Sequence, residues 1–314
     1  MDAAALRLAM IGTGHFARRH LEMIGRDSDV AVVAHLGTGG PSGPALAADY
    51  GGEVFSDLDT LIATARPDIA IVTVPPHQHG EIEARLIAAR IPFLVEKPIA
   101  TDRQTAETIA AAIEKAGLVV GVGYNLRAMD VLGEVRQALA AHPVRMVIGE
   151  YLTRTPGPLW WRRNATSGGQ LVEQATHLVD LALHLLGPAV PVAHRANPAP
   201  TRHFEDADVA SAQAMLVEFG DGTPGVFTTA CVLDKTESLS LRFIAEHLLV
   251  SIDLTGATLT ENGETRRLSL VENAYRIQDR AFLAAVRAND PSILTCSYAD
   301  ALRTHRLLMD ATGR

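Results

Sequence analysis

The run Leu6-Arg7-Leu8-Ala9-Met10-Ile11-Gly12-Thr13-Gly14-His15-Phe16-Ala17 constrains the fold of this 314-residue chain more than any other segment. A short apolar, strand-like stretch meets two glycines and then a stretch of helical spacing from His15 to Arg26. G-x-G-x-x-[G/A] between a strand and a helix is the fingerprint of a dinucleotide-binding turn. Gly12 permits the tight turn, Gly14 lets the backbone approach a pyrophosphate, and Ala17 lets the helix lie close to the sheet. Phosphates would rest on N–H groups at the helix N-terminus. Gly12, Thr13, Gly14, His15 and Phe16 are therefore the expected cofactor contacts. A GxGxxA alone also arises as a structural turn; the further β/α units around it decide for the functional reading.

Those units run to about Gly123. Strands are expected at Leu6–Ile11, Val30–Leu36, Ile69–Val74, Pro92–Val95 and Leu118–Val122, with helices at His15–Arg26, Ala45–Tyr50, Glu81–Arg90 and Asp102–Ala116. Alternation of this kind predicts a doubly wound parallel sheet of Rossmann type over 1–123. Beyond it, strand-like runs joined by turns such as Gly220-Asp221-Gly222 predict an α+β domain over 124–314 with an open, mainly antiparallel sheet. Helices are expected there at Gln170–Leu186, Ala274–Ala288 and Tyr298–Met309, and the C-terminal helices can pack back on the first domain.

The second strand ends in Leu36-Gly37-Thr38 with no acid until Asp49. A carboxylate at that point would hold the ribose hydroxyls of NAD. Its absence removes repulsion toward a 2′-phosphate, yet Gly37–Gly43 offers no Arg or Lys, only Thr38, Ser42 and backbone. NAD and NADP both stay open, with a tilt toward NADP.

Composition excludes several classes. A formal net charge of −8, with no basic stripe, argues against nucleic acid. Cys231 and Cys296 have neither CxxC spacing nor a histidine cluster, so no disulfide framework, zinc site or other metal is expected, and a reducing compartment is. Met1-Asp2-Ala3 carries an acid where a secretory leader carries a base, and Leu6–Ile11 is too short for a membrane span. The expectation is a chain beginning near Met1 in the cytoplasm.

The fourth expected strand ends in Glu96-Lys97-Pro98, which sets a lysine at the carboxyl end of a parallel strand, where such sheets bind ligands. With GTGHFA, TVPPHQH (Thr73–His79), FLVEKPIA, GYNLR (Gly123–Arg127) and SGGQLVEQATHLVD (Ser167–Asp180), in that order, the chain resembles the glucose–fructose oxidoreductase / inositol dehydrogenase (Gfo/Idh/MocA) family. The resemblance implies hydride transfer between NAD or NADP and a sugar, cyclitol or related polyol. It implies that Lys97 sits by the reacting carbon, with a pKa lowered by burial. Glu96 is expected to orient its neighbours, and the Lys97–Pro98 bond to be cis. Thr38, Thr73, Pro75, His79, Glu96 and Lys97 itself complete the expected cofactor contacts.

Glu173, His177, Asp180 and His184 recur at i, i+4, i+7 and i+11 along an otherwise apolar helix, and buried ionisable groups need partners. His184 reads as a satisfied core pair. Glu173 and His177, near the glycine-marked end, suit an acid/base pair, and the resemblance maps the family's acid and histidine onto them. Asp is the commoner acid in the inositol dehydrogenase branch, so Glu173 is a departure. His177 is the expected general acid/base, with Asp180 a candidate to orient it. Trp160 and Trp161, followed by Arg162, offer a platform for a sugar, or equally a plug over the core. Asn125, Arg127 and Tyr275 are further substrate candidates. Two other readings stay open: a redox-neutral glycosidase using transient oxidation, and a ligand sensor. The proton-transfer set argues against the sensor. An open sheet face calls for cover, as a homodimer or homotetramer supplies.

Overall fold

The computed structural model describes residues 4–199, 201 and 203–314. Met1–Ala3, read above as a start without a leader, lie outside the described residues. The chain divides into two compact units. One takes in the residues up to Ala100, Gln104–Gly123 and Tyr275–Asp300; the other takes in Thr101–Arg103, Tyr124–Ala274 and Ala301–Arg314.

The first unit alternates strand and helix: β1 (Leu6–Ile11), α1 (His15–Ile24), β2 (Val30–Leu36), α2 (Ser42–Tyr50), β3 (Glu53–Phe55), α3 (Leu58–Ala65), β4 (Ile69–Val72), α4 (Glu81–Ala88), β5 (Phe93–Val95), α5 (Arg103–Ala116) and β6 (Val120–Val122). All six strands are parallel, in the order β3-β2-β1-β4-β5-β6. The order reverses between β1 and β4, and ligands of open α/β sheets bind at the carboxyl ends of strands flanking such a point. Every residue of β4 is buried, as a strand covered on both faces requires. Its Ile69 and Ile71 pack with Leu8 and Met10 of β1 and with Ala17, Leu21 and Ile24, the buried stripe of α1.

The second unit holds α6 (Leu132–Ala141), β7 (Val144–Leu152), α7 (Leu159–Arg162), α8 (Asn164–Ser167), α9 (Gly169–Glu173), α10 (Thr176–Leu186), β8 (Ala189–Asn197), β9 (Ala212–Phe219), β10 (Pro224–Ala230), β11 (Ser238–Ala245), β12 (Leu248–Asp253), β13 (Gly256–Glu261) and β14 (Glu264–Ser269). Its sheet runs β14-β13-β12-β11-β7-β10-β9-β8, antiparallel except for the parallel β7–β10 pair. One face is buried, through Val147, Phe227, Val217, Leu241, Phe243 and Val250, and α10 packs on β7 and β11. The opposite face carries cross-strand apolar neighbours: Met146 beside Ile244 beside Leu249, and Ile148 beside Val226 beside Leu216. Helix α11 (Ala274–Ala288) then returns the chain to the first unit, adding Phe282 and Leu283 to its core, before α12 (Tyr298–Thr312).

The expected helix Gln170–Leu186 is broken. The Gln170 carbonyl accepts the N–H of both Gln174 and Ala175, and His177 N–H turns back to the Gln174 carbonyl. This irregular turn separates α9 from α10, so Glu173 and His177 are not on one continuous helical face. Six of the described elements escaped the sequence reading: β3, α3, α6, α7, α8 and β8.

Gly12 sits at φ +97, and a Cβ there would lie 2.8 Å from Thr73 Oγ1 and 2.9 Å from the Thr73 carbonyl oxygen. A Cβ on Gly14 would meet nothing within 4 Å. Gly12→Ala is therefore expected to lower stability by about 1–3 kcal/mol or more, and Gly14→Ala to stay within about 0.5 kcal/mol of the parent. Thermal unfolding without added dinucleotide checks both.

Candidate active site

In the first unit the chain turns at Gly12, whose N–H donates to the Leu36 carbonyl, while Thr73 N–H donates to Ile11. These bonds hold the ends of β1, β2 and β4 together. Helix α1 then starts at an N-cap glycine with no side-chain cap and no acid in its first turn, so its positive end is left to an outside anion. Thr13 packs against Gly37 at the end of β2, where a Cβ would approach the Thr13 side chain to 3.0 Å. Gly39 and Gly40 beyond Thr38 border open space.

β4 passes through Thr73 and Pro75 to His79, whose buried Nδ1 lies 2.7 Å from Glu83 Oε1. Gly80 N–H donates to the other Glu83 oxygen. Burial works to raise the Glu83 carboxyl, but the charge and hydrogen bond of His79 and the Gly80 N–H hold it below its ordinary value. His79 Nε2 is buried with no hydrogen-bond partner among the described residues.

The segment after β5 is buried throughout: Glu96 is 5% exposed and Lys97 8%. The Lys97–Pro98 peptide is cis. Lys97 Nζ lies 5.9 Å from the centre of the Phe16 ring, a cation–π contact at its outer range. Glu96 accepts the Lys97 backbone N–H at 3.2 Å and lies 3.2 Å from His20 Nε2. His20 Nδ1 in turn lies 2.8 and 2.9 Å from the two oxygens of Asp279 on α11. Tyr275 meets the His20 ring edge-on at 5.8 Å, with Arg19 over its own ring. Burial pushes the His20 pKa down, but the Asp279 charge and the hydrogen bonds that the ring donates to both carboxylates outweigh it and raise the value to about 10.

In the second unit, Glu173 is buried and accepts the Trp161 indole N–H at 2.6 Å. Trp161 is itself buried against Val209 and Cys231, with Trp160 partly buried beside them. His177 stands edge-on to Tyr124 at 5.9 Å, and the Tyr124 hydroxyl lies 2.6 Å from Thr176 Oγ1. Asn125 is buried in the following 3-10 turn, Asn125–Ala128. Arg127 donates twice to Asp180, at 2.7 and 2.8 Å, and Thr304 donates to the same carboxylate. Asp180 is thus engaged with Arg127. Arg162 pairs with Asp206 and stacks on Phe204, and His184 pairs with Arg136. Among the described residues no group of three or more His, Cys, Asp or Glu is placed to hold a metal ion.

Sequence reasoning passed over His20, Asp279, Glu83 and Tyr124. His20 did leave a trace: it falls between Ala17 and Leu21 on the buried stripe of α1, where an ionisable group requires a partner.

A parallel sheet of this strand order, with an uncapped helix following a glycine turn, defines a nucleotide-binding α/β unit. Comparison with known proteins narrows the class. Residues 6–124 match the oxidoreductase family with an NAD-binding Rossmann fold, and residues 128–248 match the GFO/IDH/MocA C-terminal domain. The chain belongs to the Gfo/Idh/MocA family. It is 28% identical to the D-glucoside 3-dehydrogenase of Escherichia coli (strain K12) over 204 residues, 60% of this chain and 57% of that protein. It is 23% identical to the 4-carboxy-2-hydroxymuconate-6-semialdehyde dehydrogenase of Sphingobium sp. (strain NBRC 103272 / SYK-6) over 299 residues, 90% of each. GenD2 from gentamicin A biosynthesis, solved in complex with NAD, superposes with a TM-score of 0.86 at 25% identity, covering 100% of this chain and 95% of that one.

The raised pKa of His20 ties stability to pH. The stabilisation it brings is full below its ordinary pKa of about 6.5 and drains as pH rises toward about 10. The unfolding midpoint of the full chain is expected to fall across that window, and His20→Gln to flatten the fall from a lower starting point.

Proposed function

We propose that the protein is an NAD(P)-dependent oxidoreductase that moves a hydride between the nicotinamide and a CH–OH carbon of a sugar, cyclitol or related polyol. One observation carries the reading. An open glycine turn at an uncapped helix start stands in the same unit as a buried lysine whose backbone is held by Glu96. The residues fit a dinucleotide: a Cβ on Gly14 would meet nothing within 4 Å, which leaves room for a pyrophosphate, and Gly12 through Phe16, Thr38, Thr73, Pro75 and His79 are assigned to hold it. The kinship with D-glucoside 3-dehydrogenase supports the substrate class.

The dinucleotide, when bound, supplies the hydride acceptor or donor. In oxidation, His177 takes the proton of the reacting hydroxyl; in reduction it returns it. Lys97 shares that proton and steadies the oxygen. Glu173, anchored by the Trp161 indole, tunes the imidazole and orients the substrate. Trp160, Arg162 and Asn125 are assigned to the other hydroxyls of the polyol. The contacts made by Arg127 and Trp161 give these two a further part, as supports for Asp180 and Glu173. Tyr275 packs on His20 and is assigned to the substrate as well on this reading.

NADP is the preferred cofactor on this reading, because no carboxylate at the end of β2 repels a 2′-phosphate. The two free, buried cysteines fit a reducing cytoplasm, and no described helix is long and apolar enough to cross a membrane. The apolar rows Met146–Ile244–Leu249 and Ile148–Val226–Leu216 suit a second copy of the chain, as a homodimer or homotetramer.

A screen of sugars and cyclitols with NAD and NADP, read by reduced-nicotinamide absorbance, tests the activity. Lys97→Ala and His177→Ala are each expected to lower kcat by about a hundredfold or more while dinucleotide affinity changes little. Full activity in either variant would remove that residue from the chemistry. Thr38→Asp is expected to weaken NADP binding by about tenfold or more, roughly 1.4 kcal/mol, and to leave NAD binding equal or tighter.

A further inference from the structure

His20 and Asp279 are both at 0% exposure, on α1 and α11. A neutral imidazole has one donor and one acceptor nitrogen. Here each ring nitrogen lies within hydrogen-bond distance of a carboxylate oxygen, Glu96 on one side and Asp279 on the other. Two ionised carboxylates accept only, so both are satisfied when both nitrogens donate. Gln278 adds a donor to Asp279 at 3.3 Å. Glu96 has little freedom to move: a Cβ on Gly123 would fall 2.7 Å from its carboxyl group, so the bare backbone of that glycine backs it. Glu96 also accepts the backbone N–H of Lys97. A continuous polar path thus runs from α11 through Asp279, His20 and Glu96 to the Lys97 peptide.

We propose that His20 is a positioning residue for Lys97: wedged between Asp279 and Glu96, it locks the Glu96 carboxylate against the Lys97 peptide N–H and so sets the direction of the lysine side chain. The inference rests on the reading that Lys97 handles the substrate proton. A purely structural histidine would fill the same space and satisfy the same charges, but it would leave the lysine's reactivity unmoved when replaced.

The test uses the full chain with His20→Leu/Asp279→Leu, since exchanging a buried ion pair for apolar side chains is often tolerated. Reductive methylation of Lys97, followed by peptide mass spectrometry, reads the amino group without any substrate. Arg280→Ala is the control: it loosens the contact of α11 with Asp29 and does not touch the path. The double variant is expected to change the Lys97 labelling rate at least about threefold and to lower kcat at least about tenfold, with the dinucleotide KM within about threefold. Arg280→Ala is expected to lower stability and leave labelling within about twofold. A double variant with labelling and kcat within twofold of the parent overturns the proposal. If the double variant does not fold, His20→Gln goes through the same labelling and kcat measurements. A Lys97 labelling rate changed at least about threefold with kcat lowered at least about tenfold is the expected result, and both within about twofold of the parent overturns the proposal. Should Lys97→Ala keep full activity, the functional reading fails, while the labelling result still stands or falls on its own.

Discussion

The close approach of Gly12 to Thr73 governs the first unit. The turn at φ +97 brings the chain so near the end of β4 that no side chain fits between them. That contact decides where β1 stops and where α1 begins, and so where the free N–H groups of the helix point. The same sheet carries β5 alongside β4 in parallel register, with Val72 beside Val95. The lysine that follows β5 is therefore placed relative to the glycine turn by backbone hydrogen bonds, not by a flexible loop. The glycine turn and Lys97 thus share one frame of paired strands, the placement that the proposed chemistry requires of them.

Buried charge is handled differently in the two units. In the first, one imidazole between two carboxylates satisfies three ionisable groups at once, and Glu83 is held as an anion by His79 and a backbone amide. In the second, Arg127 and Asp180 form a two-pronged pair completed by Thr304, and Glu173 is served by an indole N–H. Breaking any such pair leaves a buried charge uncompensated, a loss of several kcal/mol by analogy with other buried pairs, about 3–5. These side chains are thereby fixed, whatever else they do.

Much of this was legible in the residues. β1 and β2 are bounded as their apolar runs indicate, because a fully buried parallel strand writes itself as a continuous hydrophobic stretch. Helix α11 spans Ala274–Ala288 as its periodicity indicates. The three-residue β3 is too short to announce itself, and β8 is disguised by Pro191 and the bulge that follows it, since proline reads against a strand. The break between α9 and α10 was hidden because Gln174 and Ala175 are ordinary helix residues, and only the doubled use of the Gln170 carbonyl shows it. Glu173 and His177 were found on a spacing argument that the broken helix does not support; their contacts came from Trp161 and Tyr124 instead. Asp279 lies 259 residues from His20, and no local pattern can join two positions so far apart.

The central claim is that this chain passes a hydride between a dinucleotide and a polyol carbon. Reduced NADP carrying deuterium at C4 of the nicotinamide, incubated with the protein and a panel of keto-sugars and inososes, tests it most directly. The account predicts an alcohol product heavier by one deuterium, formed in step with oxidised dinucleotide. Product without deuterium, or a dinucleotide that binds and is never oxidised by any member of the panel, would contradict it.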